Sequence, residues 1–187
     1  MSLAALAARH GGDVDEAARA ELVERIAPLE QASAGALSPL LSRRYLEAAL
    51  ASSALLLVDA SLAAEVPRGR RWVHPFGAWA LAGLLAEIEE SAPDRIVALD
   101  AHIAPGAVVM AGAILGPACI VEPNAVIYAR VTLGARVRVG ACAVIGRPGF
   151  GWVPGPNGEL RRMPQLGGVR IEDDVDIGPL ATIDAGT

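Results

Sequence analysis

The sequence is poor in cysteine, histidine and aromatic residues. Its 187 residues include two cysteines, three histidines and 4% aromatic residues. Cys119 and Cys142 do not have the paired spacing of a metal or redox motif, so neither a zinc site nor a catalytic disulfide is expected. One histidine, His102, falls in the repeat region described below, which excludes a zinc enzyme that needs three histidine ligands there. We predict no metal site.

The chain also lacks a long apolar run and a positive net charge. The run around residues 48–58 is interrupted by Ser52 and Ser53, and it falls short of the roughly 18 apolar residues that a membrane-spanning helix needs. The first residues lack the basic start and cleavage site of a secretory signal. The net charge of −5 argues against nucleic acid as a partner. These features predict a cytoplasmic protein.

A six-residue repeat dominates the second half of the chain. Every sixth residue from Val97 to Ile145 is aliphatic. The repeated aliphatic positions are Val97, Ile103, Val109, Leu115, Val121, Ile127, Leu133, Val139 and Ile145. This period is typical of a parallel β-helix, in which three short strands form one coil of about eighteen residues. We predict that the aliphatic side chains fill the interior.

The repeat is interrupted once. It breaks after Gly146 and resumes at Ile171, 26 residues after Ile145, so residues 147–168 must loop out of the helix. Glycine and proline dominate this insertion, which also holds Phe150 and Trp152. Long loops on repeat scaffolds commonly carry function. The alternative is a structural loop closed by these two aromatic residues.

The first part of the chain follows different periodicities. Helices are predicted over residues 3–9, 15–25, 43–50 and 76–90, and strands over residues 54–59 and 68–73. We therefore expect a mixed fold with a small α/β domain (residues 1–72), a linking helix (residues 73–95) and a β-helix (residues 96–187). His74 precedes Pro75, where it could cap the linking helix.

Three stretches resemble one enzyme family. Residues 26–30 read Ile-Ala-Pro-Leu-Glu, and residues 73–76 read Val-His-Pro-Phe. The insertion reads Gly-Phe-Gly-Trp at residues 149–152 and Met-Pro-Gln-Leu-Gly-Gly-Val at residues 163–169, before Ala-Thr-Ile-Asp at residues 181–184. This order resembles the UDP-3-O-acylglucosamine N-acyltransferases of lipid A biosynthesis.

The resemblance implies a homotrimer with a uridine-binding α/β domain and a left-handed β-helix. Such enzymes move a 3-hydroxyacyl chain from the phosphopantetheine thioester of acyl carrier protein to the 2-amine of a UDP-glucosamine substrate, without a further cofactor. A histidine in a later coil acts as general base, and the resemblance places it beyond Thr187. No catalytic residue is therefore expected within residues 1–187, and this chain is expected to be inactive.

The resemblance also implies substrate-binding residues. In the α/β domain the matching residues are Ser42, Arg43, Arg44 and Tyr45, where Pro39 stands in place of the family's uracil-stacking aromatic. In the second half they are Phe150, Trp152 and Gln165.

The paired arginines Arg43–Arg44 and Arg161–Arg162 are candidates for contacts with nucleotide phosphate or an acidic carrier protein, or they are ordinary surface charge. One other function stays open, a non-catalytic trimeric scaffold or nucleotide-binding relative. A hexapeptide acetyltransferase that uses acetyl-CoA fits the repeat but not the N-terminal domain or the Pro-Gln-Leu-Gly-Gly stretch. The sequence does not determine the length of the acyl chain.

Overall fold

The computed structural model describes residues 1–89 and 94–186. Their contacts divide the chain into two units. Met1–Leu85 and Trp152–Met163 form unit 1, and Ala86–Gly151 and Pro164–Thr187 form unit 2. The chain thus passes between the units three times, and part of the insertion belongs with the first half of the sequence. The expected domain boundaries at residues 72 and 95 stay predictions.

Unit 1 is a five-stranded sheet with helices on both faces. Its helices are α1 (Leu3–His10), α2 (Leu46–Ala51) and α3 (Gly77–Glu89), and its strands are β1 (Asp13–Val14), β2 (Arg25–Ile26), β3 (Ala36–Leu40), β4 (Leu55–Asp59) and β5 (Arg71–His74). The strand order is β1-β5-β4-β3-β2, and all neighbours are parallel except β1 and β5. This arrangement confirms the α/β class.

Alternate residues of the central strands enter two apolar clusters. Leu37, Leu57 and Trp72 pack with α1 and α3, whereas Leu56 and Val58 pack with α2. Successive strand residues point to opposite faces, so burial on both faces explains why β4 is a continuous apolar run.

The predicted helix over residues 15–25 is wrong. This stretch contains a 3-10 turn at Glu16–Ala18 and then strand β2. Asp15 turns inward instead and pairs with Arg71, whose Nε and Nη2 atoms lie 2.9 and 3.0 Å from its carboxylate oxygens. Arg71 also donates to the carbonyls of Ala63 and Val66 at 2.6 and 2.9 Å. A tertiary ion pair therefore overrides local helix propensity.

The hydrogen bonds from Arg71 lower the pKa of Asp15 below its ordinary value, with burial opposing this and the Gly69 N–H adding to it. The same bonds raise the pKa of Arg71. The pair joins the turn before Glu16 to strand β5, and removing either partner would leave the other largely buried without its counter-charge.

Strand β3 was not predicted, because it contains Pro39. Proline lacks the N–H that a sheet interior requires. Strand β2 pairs with β3 only at residues 36 and 37, so Pro39 lies beyond the end of that pairing. On the other side of β3, residues 37–40 pair with β4, and Pro39 lies opposite Leu57.

Unit 2 is a left-handed parallel β-helix, as predicted. Its strands are β6 (Ile96–Val97), β7 (His102–Ile103), β8 (Val108–Val109), β9 (Ile114–Leu115), β10 (Ile120–Val121), β11 (Val126–Ile127), β12 (Val131–Leu133), β13 (Arg138–Val139), β14 (Val144–Arg147), β17 (Val169–Ile171), β18 (Asp176–Ile177) and β19 (Thr182–Asp184). The insertion forms β15 (Trp152–Pro154) and β16 (Leu160–Arg162), which belong to unit 1. Three faces of four strands each form the prism.

The strand register follows the repeat. Val121 lies beside Ile103 on one side and Val139 on the other, eighteen residues away in each direction. Across the insertion, Leu133 lies beside Ile171 and Ile145 beside Ile183. The interior aliphatic residues from Leu115 to Ile145 are at most 2% exposed. Cys119 lies in the same core and is fully buried.

The corners of the coils use left-handed backbone at ordinary residues. The non-glycine corner residues with φ between 54° and 62° are Ala118, Asn124, Arg130, Arg136, Cys142, Asp174 and Leu180. Gly106 and Gly112 occupy the same position in the first coil. Each non-glycine corner costs about 1 kcal/mol, which the stacking of complete coils offsets.

Within residues 1–89 and 94–186, no helix combines the length and apolar character that crossing a bilayer requires. The predicted end of the linking helix at Glu90 lies outside these residues.

Candidate functional site

The predicted binding residues fall into separate groups. Ser42, Arg43, Arg44 and Tyr45 are consecutive in unit 1, at a 3-10 turn that follows β3. Trp152 is also in unit 1, whereas Phe150 and Gln165 are in unit 2. The structure therefore presents a surface turn and a second cluster, and we describe each within its own unit.

Tyr45 provides an aromatic surface at the turn. Its ring is half-buried against the apolar cluster of Leu40 and Leu56. The Arg44 guanidinium carbon lies 4.3 Å from the ring centroid, and Arg44 also donates a hydrogen bond to the Tyr45 hydroxyl. A cation held against an aromatic ring is suited to a planar or anionic ligand. Ser42 is exposed, and its carbonyl accepts the Tyr45 N–H at 3.1 Å.

Arg43 has a different environment from Arg44. Its Nη2 atom lies 2.8 Å from the Glu65 carboxylate. The Arg43 side chain is largely exposed, so this ion pair contributes little to the stability of the fold. Glu65 neutralises the Arg43 charge, which leaves Arg44 as the better placed cation of the two for an anionic ligand.

The second cluster lies where the insertion leaves and rejoins the β-helix. Arg147 ends β14, and its Nε and Nη2 atoms lie 3.2 and 3.4 Å from the Asp184 carboxylate. The Arg147 guanidinium also lies 4.3 Å from the centroid of the Phe150 ring. Phe150 is 77% exposed. One face of this ring is therefore supported by an ion-paired arginine, and the rest of the residue is open to solvent.

Gln165 belongs to this second cluster. A Cβ atom placed on Gly149 would lie 3.8 Å from the Asp184 carboxylate and 4.0 Å from the Gln165 amide carbon. The glycine thus leaves a small notch beside a carboxylate and an amide. We call Arg147, Gly149, Phe150, Gln165 and Asp184 the insertion-root cluster.

Trp152 is on a hairpin instead. Strands β15 and β16 are antiparallel, with Trp152 opposite Arg162 and Val153 opposite Arg161. Trp152 is 56% exposed, and the face it shares with Leu160 and Arg162 points outward. Neither Trp152 nor Phe150 is buried, so the insertion is not closed by burial of its aromatic residues.

The hairpin is attached to unit 1 through Arg161. Its guanidinium carbon lies 3.8 Å from the centroid of the Trp79 ring, and its Nη1 atom donates to the Trp79 carbonyl at 2.9 Å. Gly83, one turn further along α3, leaves room for this contact, since a Cβ there would lie 2.6 Å from Nη1. Met163 packs against the apolar cluster of α1 and α3. The Arg161 side chain therefore anchors the hairpin.

The three histidines have distinct surroundings. His74 is buried; its Nδ1 accepts the Phe76 N–H at 2.8 Å, and its Nε2 lies 3.1 Å from the His10 carbonyl. It holds the start of α3, in agreement with the predicted capping role. His10 lies beside the Trp72 ring, with ring centroids 6.4 Å apart. His102 is exposed on β7 in the first coil.

The acidic residues after the insertion pair with arginines of the preceding coil. Arg136 donates to both carboxylate oxygens of Asp174 at 2.6 and 2.7 Å, and this lowers the pKa of Asp174. Arg138 lies 3.9 Å from Asp176. In the part of the chain that the structure describes, no group of three or more acidic, histidine or cysteine side chains is placed to hold a metal ion.

Sequence reasoning missed Arg147, Asp184 and Trp79. Arg147 and Asp184 each lie just beyond the paired interior residues Ile145 and Ile183, so the register across the insertion could have indicated their proximity. Trp79 gave no such signal, because its partner Arg161 is 82 residues away in the sequence.

The coil architecture defines a hexapeptide-repeat protein. The family described as bacterial transferase hexapeptide (six repeats) matches residues 112–147, which lie within the stacked coils.

The more particular relationship is with UDP-3-O-acylglucosamine N-acyltransferases. The chain is 45% identical to the enzyme of that name from Delftia acidovorans over 94% of its own length. It is 57% identical over 42 residues to UDP-3-O-acylglucosamine N-acyltransferase 3 of Gloeobacter violaceus, and 57% identical over 44 residues to the enzyme of Christiangramia forsetii. The resemblance stated from the sequence is confirmed, and the chain is a homologue of these enzymes.

The chain covers part of these relatives. It spans 57% of the length of the Delftia protein, and the shorter matches span 12% and 13% of theirs.

Proposed function

We propose that the protein is an N-acyltransferase of lipid A biosynthesis that transfers a 3-hydroxyacyl chain from acyl carrier protein to the 2-amine of UDP-3-O-acylglucosamine. The observation that carries this proposal is the 45% identity to the Delftia enzyme over 94% of the chain, which includes both units. The proposal includes a cytoplasmic location, a homotrimer, and a donor thioester on phosphopantetheine with no further cofactor.

In this proposal the turn at Ser42, Arg43, Arg44 and Tyr45 binds the uridine nucleotide. The half-buried Tyr45 ring offers a stacking surface, and Arg44 supplies a cation that Arg43 does not, because Glu65 neutralises Arg43. Stacking of a base on an aromatic side chain contributes about 1–3 kcal/mol. Phe150, Trp152 and Gln165 are proposed to contact other parts of the substrate.

Nucleotide binding is tested by titrating the chain with UDP-N-acetylglucosamine, followed by calorimetry or by NMR. We expect Tyr45→Ala to weaken binding by about tenfold or more and Tyr45→Phe to retain it. Tyr128, which packs against the β-helix core, provides the matched control in Tyr128→Phe. Absence of binding at millimolar ligand, or equal binding by Tyr45→Ala, would refute the nucleotide site.

We propose further that none of the three histidines is the general base. The Nδ1 atom of His74 accepts the Phe76 N–H before α3, its Nε2 atom lies at the His10 carbonyl at the end of α1, and His10 packs beside Trp72. His102 lies in the first coil. An acyl-transfer assay of residues 1–187 with a carrier-protein thioester is expected to give no turnover, since removal of a general base costs about 10²–10⁴-fold. Turnover that His102→Ala abolishes would assign the base to His102.

A second candidate is a nucleotide-binding trimeric scaffold without catalysis. It shares the nucleotide site and differs in chemistry, so assaying the product of the whole gene separates the two. Acyl transfer supports the enzyme, and nucleotide binding without transfer supports the scaffold.

A further inference from the structure

Glu65 is the last residue of a short 3-10 segment, Ala60–Glu65, whose backbone is held from the side. Arg71 donates to the carbonyls of Ala63 and Val66, at 2.6 and 2.9 Å, and so fixes the backbone on both sides of Glu65. The Glu65 side chain is only 27% exposed. Its carboxylate is therefore presented from a fixed position.

The same segment lies beside the turn that carries Tyr45. Leu62 and Val66 are buried in the apolar cluster against which the Tyr45 ring packs. The Glu65 carboxylate reaches the neighbouring Arg43, whose Nη2 atom lies 2.8 Å away. The Arg43 side chain is 77% exposed, so the arginine is the partner that can turn toward a ligand.

This geometry makes the Glu65 carboxylate a competitor of any phosphate that binds at the turn. A phosphate can contact the Arg44 guanidinium, which lies 4.3 Å from the centroid of the Tyr45 ring. It can contact Arg43 as well only by displacing Glu65, because guanidinium groups bind carboxylate and phosphate through the same planar donors. Exposed ion pairs are weak, so a phosphate can make this exchange at a modest cost.

We propose that Glu65 is a specificity-determining residue of the nucleotide site: by occupying Arg43, it weakens the binding of nucleotide phosphate and leaves the binding of the base unchanged. This inference rests on the proposed function, in which the turn of residues 42–45 binds the uridine nucleotide. The acceptor and the product of that reaction carry the same UDP group. Weak phosphate binding therefore favours release of the product, a step that limits turnover in many enzymes.

The experiment measures the affinities of uridine and UDP for the unmodified chain and for Glu65→Gln by NMR titration. Glutamine keeps the size of the side chain and removes its charge, so Arg43 becomes available to phosphate. We expect UDP to bind about fivefold more tightly to Glu65→Gln and uridine to bind equally to both proteins. The gain for UDP should decrease as salt is added. A purely structural effect of the substitution would change both ligands alike.

Two further variants separate this role from a general effect of net charge. Glu16→Gln removes a carboxylate that is 94% exposed and follows β1, which two strands separate from β3. It should leave UDP binding unchanged. In Arg43→Gln, the additional change Glu65→Gln should give a clearly smaller gain for UDP, because the cation that Glu65 occupies is no longer there.

The two ligands also separate this inference from the proposed function. Equal UDP binding by the unmodified chain and Glu65→Gln, or a gain that uridine shares, overturns the role of Glu65 and leaves the nucleotide site standing. A gain for UDP that is undiminished in Arg43→Gln, or that Glu16→Gln reproduces, overturns it as well. If neither uridine nor UDP binds to either protein at millimolar concentration, both the role of Glu65 and the nucleotide site are overturned.

Discussion

The Arg161 guanidinium carbon lies over the Trp79 ring, 3.8 Å from its centroid, and Arg161 donates a hydrogen bond to the Trp79 carbonyl. A two-stranded hairpin is marginally stable by itself in water. The hairpin of the insertion therefore depends on this contact and on the packing of Met163 for its fixed position.

Replacing Arg161 tests this anchor. The stacking and the hydrogen bond together contribute about 2 kcal/mol, so Arg161→Ala should speed hydrogen exchange in residues 152–162 by about thirtyfold. Arg161→Lys keeps the charge but loses the planar stacking on the ring. Hydrogen exchange in residues 152–162 should therefore be nearly as fast as in Arg161→Ala. Arg162→Ala, on the outward face, is the control. Unchanged protection in Arg161→Ala would show that other contacts hold the hairpin.

The Asp15–Arg71 pair predicts how stability changes with pH. The pKa of Asp15 is lower in the folded protein than in the unfolded chain because Arg71 donates to its carboxylate. Its contribution is therefore fully present above the unfolded pKa of about 4 and is lost as the pH falls through the folded value.

Denaturant titrations between about pH 6 and pH 2 check this expectation. Asp15→Asn should lose about 3 kcal/mol at neutral pH, because Arg71 remains buried without its partner. The acid-induced loss of stability should then be smaller than in the unmodified protein. Asp174→Asn, whose ion pair is exposed, should change the stability less. An acid profile of Asp15→Asn parallel to that of the unmodified protein would contradict the assignment.

Gly168 is required where the insertion rejoins the β-helix. Its φ is 68°, and a Cβ atom there would collide with the Arg130 carbonyl oxygen. We expect Gly168→Ala to lower the free energy of unfolding by about 2 kcal/mol. Gly178→Ala should be nearly neutral, since no atom lies within 4 Å of a Cβ at that position. Thermal unfolding followed by circular dichroism compares them, and equal melting temperatures would refute the role of Gly168.

One face of the β-helix is suited to self-association. Three of its four outward residues are valines, Val108, Val126 and Val144, on the parallel strands β8, β11 and β14, and the fourth is Thr182 on β19. On another face, three of the four outward residues are polar, and they are His102, Arg138 and Asp176, with Ile120 as the fourth. We expect Val126→Lys to convert the proposed trimer to a monomer in sedimentation experiments, because a buried lysine without a partner is costly. His102→Lys should stay trimeric. A trimer in Val126→Lys would place the interface elsewhere.

The β-helix could be predicted from the sequence because its information is local and repeated. Each interior position, from Val97 to Ile145, has the same spacing, and each coil stacks on a coil of the same kind. The left-handed corners could not be predicted in the same way. Residues such as Arg130 and Arg136 do not favour positive φ, and the stacked coils impose it on them.

The candidate sites were less predictable than the fold. The family resemblance pointed to Tyr45, Phe150 and Gln165, but their partners come from the tertiary structure. Arg43 is neutralised by Glu65, and Phe150 is supported by Arg147, which Asp184 holds from 37 residues further along the chain.

The sequence alone determined the class of unit 1, the coil architecture of unit 2 and the place where the coils are interrupted, because periodic apolar residues must be buried wherever they occur. Only the tertiary structure decided which conformation residues 15–25 adopt and which unit the hairpin of the insertion joins. Asp15 and Arg161 each find a partner far away in the sequence, Arg71 and Trp79. Such pairs gain their energy from burial and geometry that exist only after the chain has folded, so no local pattern of residues encodes them.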